Sequence, residues 1–191
     1  MRAKSAAILL GAITALGCIS LSNACGPVAT GPPSREAGVD LLGRLVVVRA
    51  GPGAAEDGQS VRRHEWVVRH GRRLVTTTLL APVVVRAGLT GLSGRFTLKL
   101  LASPTFNVGD GVQLEVLLSS AGSFRPVCSR YFDAGRLAGD RDWIPMEVPL
   151  SLSGAANAYL EIRVSAGPQG DLDADWLALA EARIVPEKAA L

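Results

Sequence analysis

The sequence predicts an all-β chain, a two-sheet antiparallel β-sandwich or jelly roll carried behind a leader. Three observations predict it. First, apolar and polar residues alternate: in "GVQLEVLLS" (111–119) Val112, Leu114 and Val116 share one face while Gln113 and Glu115 share the other. In "AYLEIRVSA" (158–166) Leu160, Ile162 and Val164 oppose Glu161 and Arg163. Period two with one wet face marks antiparallel sheet. Second, Gly, Pro, Asn and Asp clusters recur at intervals of about ten residues, the spacing of short strands and turns. Third, no window carries a helical stripe.

The first residues set the compartment. Arg2 and Lys4 form a basic head, residues 6–16 are apolar, and no further charge occurs before Arg35. A spanning helix needs about 20 apolar residues, so residues 1–17 read as a secretory signal. Two processing sites are open. "TALGC" (14–18) resembles a bacterial lipobox, which would lipidate Cys18, and this is the leading reading. "SNAC" (22–25) supports ordinary cleavage after Ala24 and a secreted soluble protein. Several acyl chains on Cys18 would anchor the protein stably to a membrane. Ile19 follows Cys18, which does not suggest retention on an inner membrane; the expected place is the cell envelope, on the outer membrane where two membranes exist. Residues 18–38, rich in Gly, Pro, Ser and Ala, read as a flexible tether. Residues 39–191 then form the β-sandwich domain.

Of 20 basic and 17 acidic residues, two basic ones sit in the leader. The remainder is near neutral and gives no nucleic-acid footprint. Three cysteines are present. With Cys18 lipidated, Cys25 and Cys128 are free to form a disulfide in an oxidising compartment; the alternative is that Cys128 is a small buried hydrophobe.

Along the domain the strands are expected at "GRLVVVRA" (43–50), "HEWVVRH" (64–70), "RLVTTTLLA" (73–81), "PVVVRAG" (82–88), "GRFTLKLLA" (94–102), residues 111–119, "FRPVCSRYF" (124–132), "WIPMEVPL" (143–150), residues 158–166 and "DWLALAEARIV" (175–185). The last has helical propensity in its Ala, Leu and Glu. Its β-branched Ile184 and Val185, at the end of an all-β chain, make it a strand. Pro145 suits an edge strand or a bulge. Trp143 and Trp176 are expected as core anchors.

The strings "GDGVQLEVLL" (109–118), "SRYFD" (129–133), "DRDWIPMEVPLS" (140–151), "YLEIRVSAGPQGD" (159–171) and "DWLALAEARIV" occur in that order. Together they resemble bacterial jelly-roll modules of the galactose-binding-domain-like type, over about residues 84 to 186. The resemblance implies a non-catalytic module whose relatives often bind carbohydrate. After Asp175 and Trp176 the chain lacks the second aromatic that relatives often carry.

Four constellations bear on function. Asp171, Asp173 and Asp175 in "DLDAD" are candidate Ca²⁺ ligands. The EF-hand pattern fails, with Trp176 in place of its Gly and Ala182 in place of its Glu, and a solvated turn is the alternative. His64 and His70 are about 20 Å apart along a strand and do not share a metal. A sugar platform draws on Trp66, Phe124, Tyr131 and Tyr159, with Arg130, Asp133, Asp171 and Asp175 as polar partners at one rim. No nucleophile elbow, metalloprotease helix, phosphate loop or Cys-x-x-Cys occurs, so no enzyme is expected. The leading reading is an exported, lipid-anchored glycan-binding module; the alternative is an envelope structural or assembly lipoprotein that binds another protein.

Overall fold

The computed structural model describes residues 38–51, 60–106, 109–120, 122–170 and 175–187. The processing site, the tether, Cys18, Cys25, Asp171 and Asp173 lie outside the described residues. The described residues form eleven strands: β1 (Val39–Asp40), β2 (Val46–Ala50), β3 (Val61–Arg69), β4 (Arg72–Leu80), β5 (Val83–Gly88), β6 (Ser93–Pro104), β7 (Val112–Ser120), β8 (Ser123–Phe132), β9 (Ile144–Ser153), β10 (Tyr159–Ala166) and β11 (Trp176–Pro186). Short 3₁₀ turns occupy Leu42–Arg44 and Ala138–Arg141. Trp176–Pro186 is a strand, as expected for this segment, against its helical propensity: β11 is hydrogen-bonded to β4 and β1 on one side and β6 on the other. Tertiary pairing overrides the local preference. Among the described residues no helix is long and apolar enough to cross a membrane.

The strands form two antiparallel sheets. One has the order β3-β4-β11-β6-β9, with β1 also paired to β11; the other has the order β2-β5-β10-β7-β8. The period-two pattern decides which side of each strand faces the other sheet. On β9, Ile144, Met146, Val148, Leu150 and Leu152 are buried, while Glu147, Pro149, Ser151 and Ser153 are exposed. From β10, Leu160, Ile162 and Val164 meet the same core, beside Leu98 and Leu100 of β6 and Leu114 and Val116 of β7. β9 and β8 are edge strands, and that is where Pro145, Pro149 and Pro126 sit. An edge tolerates a residue with no backbone donor.

Two irregularities change what the pattern alone implies. In β11 the register shifts between Leu179 and Glu181. Leu177 and Leu179 are buried in the core, and so are Ala182 and Ile184 beyond the bulge. Trp176 therefore points away from the core and is only half-buried, contrary to its expected role as a core anchor; Trp143 is buried. In β3 the shift falls between Arg63 and Glu65, with His64 at φ 59°. Past this bulge the β3–β4 hairpin leaves β11, whose lower half pairs with β1 instead. Arg69, near the hairpin tip, donates to the Pro104 carbonyl at the far end of β6. The hairpin thus curls over the outer face of its own sheet, and Thr76, Thr78, Ser103 and Ala178 on that face are buried. His64 and His70 are exposed, in the bulge and the turn.

At one rim lie the β4–β5 and β8–β9 connections together with the end of β2, the start of β3, the end of β6, the start of β7, the end of β10 and the start of β11. The opposite rim carries the β5–β6, β7–β8 and β9–β10 turns. Leu160, fully buried at the centre of the core, sets a stability test. Leu160→Ala should cost about 2–5 kcal/mol in denaturant unfolding, whereas Val68→Ala, on the exposed side of β3, should change stability by less than about 0.5 kcal/mol.

Candidate functional site

The crowded rim is the place where the sequence assembled most of its candidates. Tyr131, next to last in β8, donates its hydroxyl to the Asp110 carbonyl, with Asp133 Oδ2 3.3 Å away. Burial raises the Tyr131 phenol, and the Asp133 carboxylate raises it further. Asp133 accepts the Arg136 amide at 2.9 Å. Asp140 accepts the Asp133 amide at 2.8 Å and Arg130 Nη2 at 3.0 Å. Arg141 Nε donates to the Ala134 carbonyl at 2.7 Å. These bonds lock the β8–β9 loop onto itself and, through Tyr131, onto Asp110 ahead of β7.

The neighbouring loops close the rim by backbone contact. Asp110 Oδ2 accepts the Gln169 amide. A Cβ at Gly167 would stand 2.3 Å from the Asp110 carbonyl oxygen, so only glycine lets these two loops meet. The cavity left among Pro104, Phe106, Gly111, Phe132, Gly135 and Asp175 has about 10 Å³, room for one water molecule. Trp176 lies on the outer side of this rim, edge-on to Phe106 at 5.1 Å and beneath Arg62 at 4.2 Å. Asp175 is buried, and its carbonyl accepts the Ala81 amide. Among the described residues no group of three or more His, Cys, Asp or Glu side chains is placed to hold a metal.

A different surface has the properties of a platform: the outer face of the five-stranded sheet. Register builds it row by row. Ser119 of β7 pairs with Phe124 of β8 and with Tyr159 of β10, and Tyr159 pairs with Gly88 of β5. One row on, about 7 Å along the strands, Leu117 pairs with Glu161, and Glu161 with Arg86. The next row sets Glu115 beside Arg163 and Ser129. Two aromatic rings and a strip of alternating donors and acceptors therefore share one solvent-facing surface.

Glu161 organises that strip. It is 2% exposed although it lies on the outer face. Arg86 reaches Glu161 Oε2 through Nη2 at 2.6 Å and Nε at 3.2 Å, and Arg163 Nε reaches Oε1 at 2.7 Å. Burial alone would raise the Glu161 carboxyl. The hydrogen bonds from Arg86 and Arg163 outweigh it and hold the group below the ordinary carboxylate value. The Arg86 guanidinium also stands 4.7 Å from the Phe124 ring centre and 5.6 Å from that of Tyr159. One buried carboxylate thus fixes two guanidiniums, and one of them bridges two rings.

The sequence-predicted residues divide accordingly. Tyr131, Arg130, Asp133 and Asp175 come together at the rim, where the first three are spent on the loop. Trp66 is apart from them, 57% exposed on the convex side of the β3–β4 hairpin, with Arg73 4.2 Å over its ring. Phe124 and Tyr159 fall in one row. Arg86, Glu161 and Arg163 were missed as site residues; the only sequence signal was a charged pair on the wet side of an otherwise apolar strand. Cys128, inward-facing opposite Val116 and 3% exposed, is disulfide-bonded. Cys25, the partner expected for it, lies outside the described residues.

Comparison with solved structures bears on the architecture. The tandem CBM51 modules of a family 98 glycoside hydrolase from Streptococcus pneumoniae superpose with a TM-score of 0.52 at 13% identity, covering 85% of this chain and 52% of that one. The chain has the β-sandwich fold of carbohydrate-binding modules. CBM51 from a Clostridium perfringens GH95 protein, in complex with methyl-galactose, gives a TM-score of 0.48 at 11% identity over 78% of this chain and all of that one. The CBM22-1 and GH10 modules of a Clostridium thermocellum xylanase, complexed with xylohexaose, give 0.47 at 10% identity over 80% of this chain and 26% of that one. The chain matches no protein-family model and no curated protein.

The Glu161 cluster has a pH signature. Its folded pKa lies below the unfolded value of about 4.3, so its contribution is fully present above that pH and is lost as pH falls through the folded value. Glu161→Gln should lower Tm at pH 7, and the gap to the parent should narrow steadily in thermal scans below about pH 4.

Proposed function

We propose that this chain is an exported, lipid-anchored, non-catalytic module that holds a neutral glycan on the outer face of its five-stranded sheet. The observation that carries the reading is the row of Phe124 and Tyr159 beside the Arg86–Glu161–Arg163 cluster. Sugar rings offer apolar C–H faces for aromatic contact and hydroxyls that both donate and accept. The face supplies both kinds of partner at nearly balanced charge, Arg49, Arg86 and Arg163 against Glu115 and Glu161, which fits hydroxyls better than a polyanion. The carbohydrate-binding modules that share the fold support the ligand class. Export and anchoring rest on the leader and on Cys18, and Cys25 is the proposed partner of Cys128. Ca²⁺ at Asp171, Asp173 and Asp175 rests on the sequence alone, since Asp171 and Asp173 lie outside the described residues.

One observation favours a second reading, docking of another envelope protein. Val46, Val47 and Val48 on edge strand β2, with Trp66, Val68 and Val75 on the hairpin, are exposed large apolar residues. An exposed edge strand invites strand addition.

Glycan microarrays followed by calorimetry separate the two. Phe124→Ala and Tyr159→Ala should each weaken sugar binding about tenfold, a change of about 1.4 kcal/mol. No sugar response from the parent, together with a crosslinked envelope partner lost on Val47→Lys, would replace the first reading with the second.

A further inference from the structure

We propose that a cleft at the rim opposite the crowded one holds a single neutral pyranose ring, the terminal or branching residue of a glycan whose neighbours lie across the outer face. This rests on the glycan reading above and names the part of the ligand that is recognised.

The cleft has a volume of about 130 Å³ and is lined by Leu118, Ser119, Ser151, Leu152, Ser153 and Ala158. A cavity of about 150 Å³ accepts benzene, so one six-membered ring is the occupant of the right order. Leu118 and Leu152 offer an apolar surface for a ring's C–H face. The three serine hydroxyls can each donate and accept, as sugar hydroxyls require. Among the described residues no charged side chain lines the cleft, which selects against an anionic ligand.

The wall is held before any ligand arrives. The Gly154 amide donates to the Leu92 carbonyl at 3.1 Å, the Leu89 amide to the Ala158 carbonyl at 2.8 Å, and Thr90 Oγ1 to the Ala156 carbonyl at 3.0 Å. These bonds tie the β9–β10 turn to the β5–β6 turn. Less ordering is then left for binding to impose.

The cleft is continuous with the platform. Ser119 lines it and is the cross-strand partner of both Phe124 and Tyr159. Ala158 lines it and precedes Tyr159 in the chain. Phe124 and Tyr159 are thus each one cross-strand step from the Ser119 that lines it. A space for one ring at the end of an open face receives the end or a branch of a chain, because an internal residue would need its neighbours to leave on two sides.

Ser151 and Ser153 are exposed on edge strand β9, so Ser151→Phe and Ser153→Phe block the cleft without touching the core. Calorimetry on the full chain would use methyl β-galactopyranoside, methyl β-glucopyranoside and the corresponding tri- and tetrasaccharides. The expected result is that one methyl glycoside binds within about tenfold of its oligosaccharides. Both variants should then lose binding by about tenfold or more at unchanged Tm. Oligosaccharides that bind parent and variants equally, with methyl glycosides silent, would overturn the cleft and leave the platform standing. Silence from every glycan would overturn both.

Discussion

Strand β10 is hydrogen-bonded on both sides, to β5 and to β7, and its register is the constraint on which both the core and the outer face depend. With Leu160, Ile162 and Val164 turned inward, Tyr159, Glu161 and Arg163 must turn outward. A slip of one residue would exchange the two sets. Glu161 and Arg163 would then lie between the sheets without their partners, a severe desolvation penalty. The charge on β10 therefore fixes the register from the outside as firmly as the aliphatic residues fix it from the inside. Glu161 tolerates its burial because Arg86 and Arg163 satisfy both of its oxygens.

The two sheets differ in what they leave open. The six-stranded sheet covers part of its own outer face with the β3–β4 hairpin, and Ala178 and Ser103 there are fully buried. The five-stranded sheet has no such flap among the described residues, and its outer surface carries side chains in register. The crowded rim is rigid for a different reason. Asp133 and Asp140 are consumed by the amides and guanidiniums of a single loop, and Gly167 lets the Asp110 backbone approach too closely to leave a ring-sized space. Order at the rim and openness at the face are the reasons that recognition is proposed on the sheet and not on the loops.

Much of the fold was legible because its signal is local. Alternation along β7, β9 and β10 can be read within ten residues, and Pro145 lies on an edge strand, one of the two places it was expected to suit. What failed involved bulges, which reverse the alternation without a sequence mark of their own. The shift at Ala180 turns Trp176 out of the core. The site was less legible still. Phe124 and Tyr159 are identifiable as aromatics, but their shared row needs the pairing of three strands. Arg86 and Glu161 are 75 residues apart in sequence. Tyr131, Arg130 and Asp133, by contrast, cluster locally and were easily noticed; their hydrogen bonds turn inward to the loop, and proximity in sequence says nothing of that.

The most direct measurement is an NMR titration of the ¹⁵N-labelled full chain with neutral galacto- and xylo-oligosaccharides, following the backbone amides and the Arg86 and Arg163 side-chain Nε–H signals. Saturable shifts concentrated at residues 113–119, 124–129 and 159–163, with both guanidinium signals moving together, are the predicted result. Shifts confined to residues 105–111 and 133–143, with the guanidinium signals still, would contradict the assignment of recognition to the sheet face.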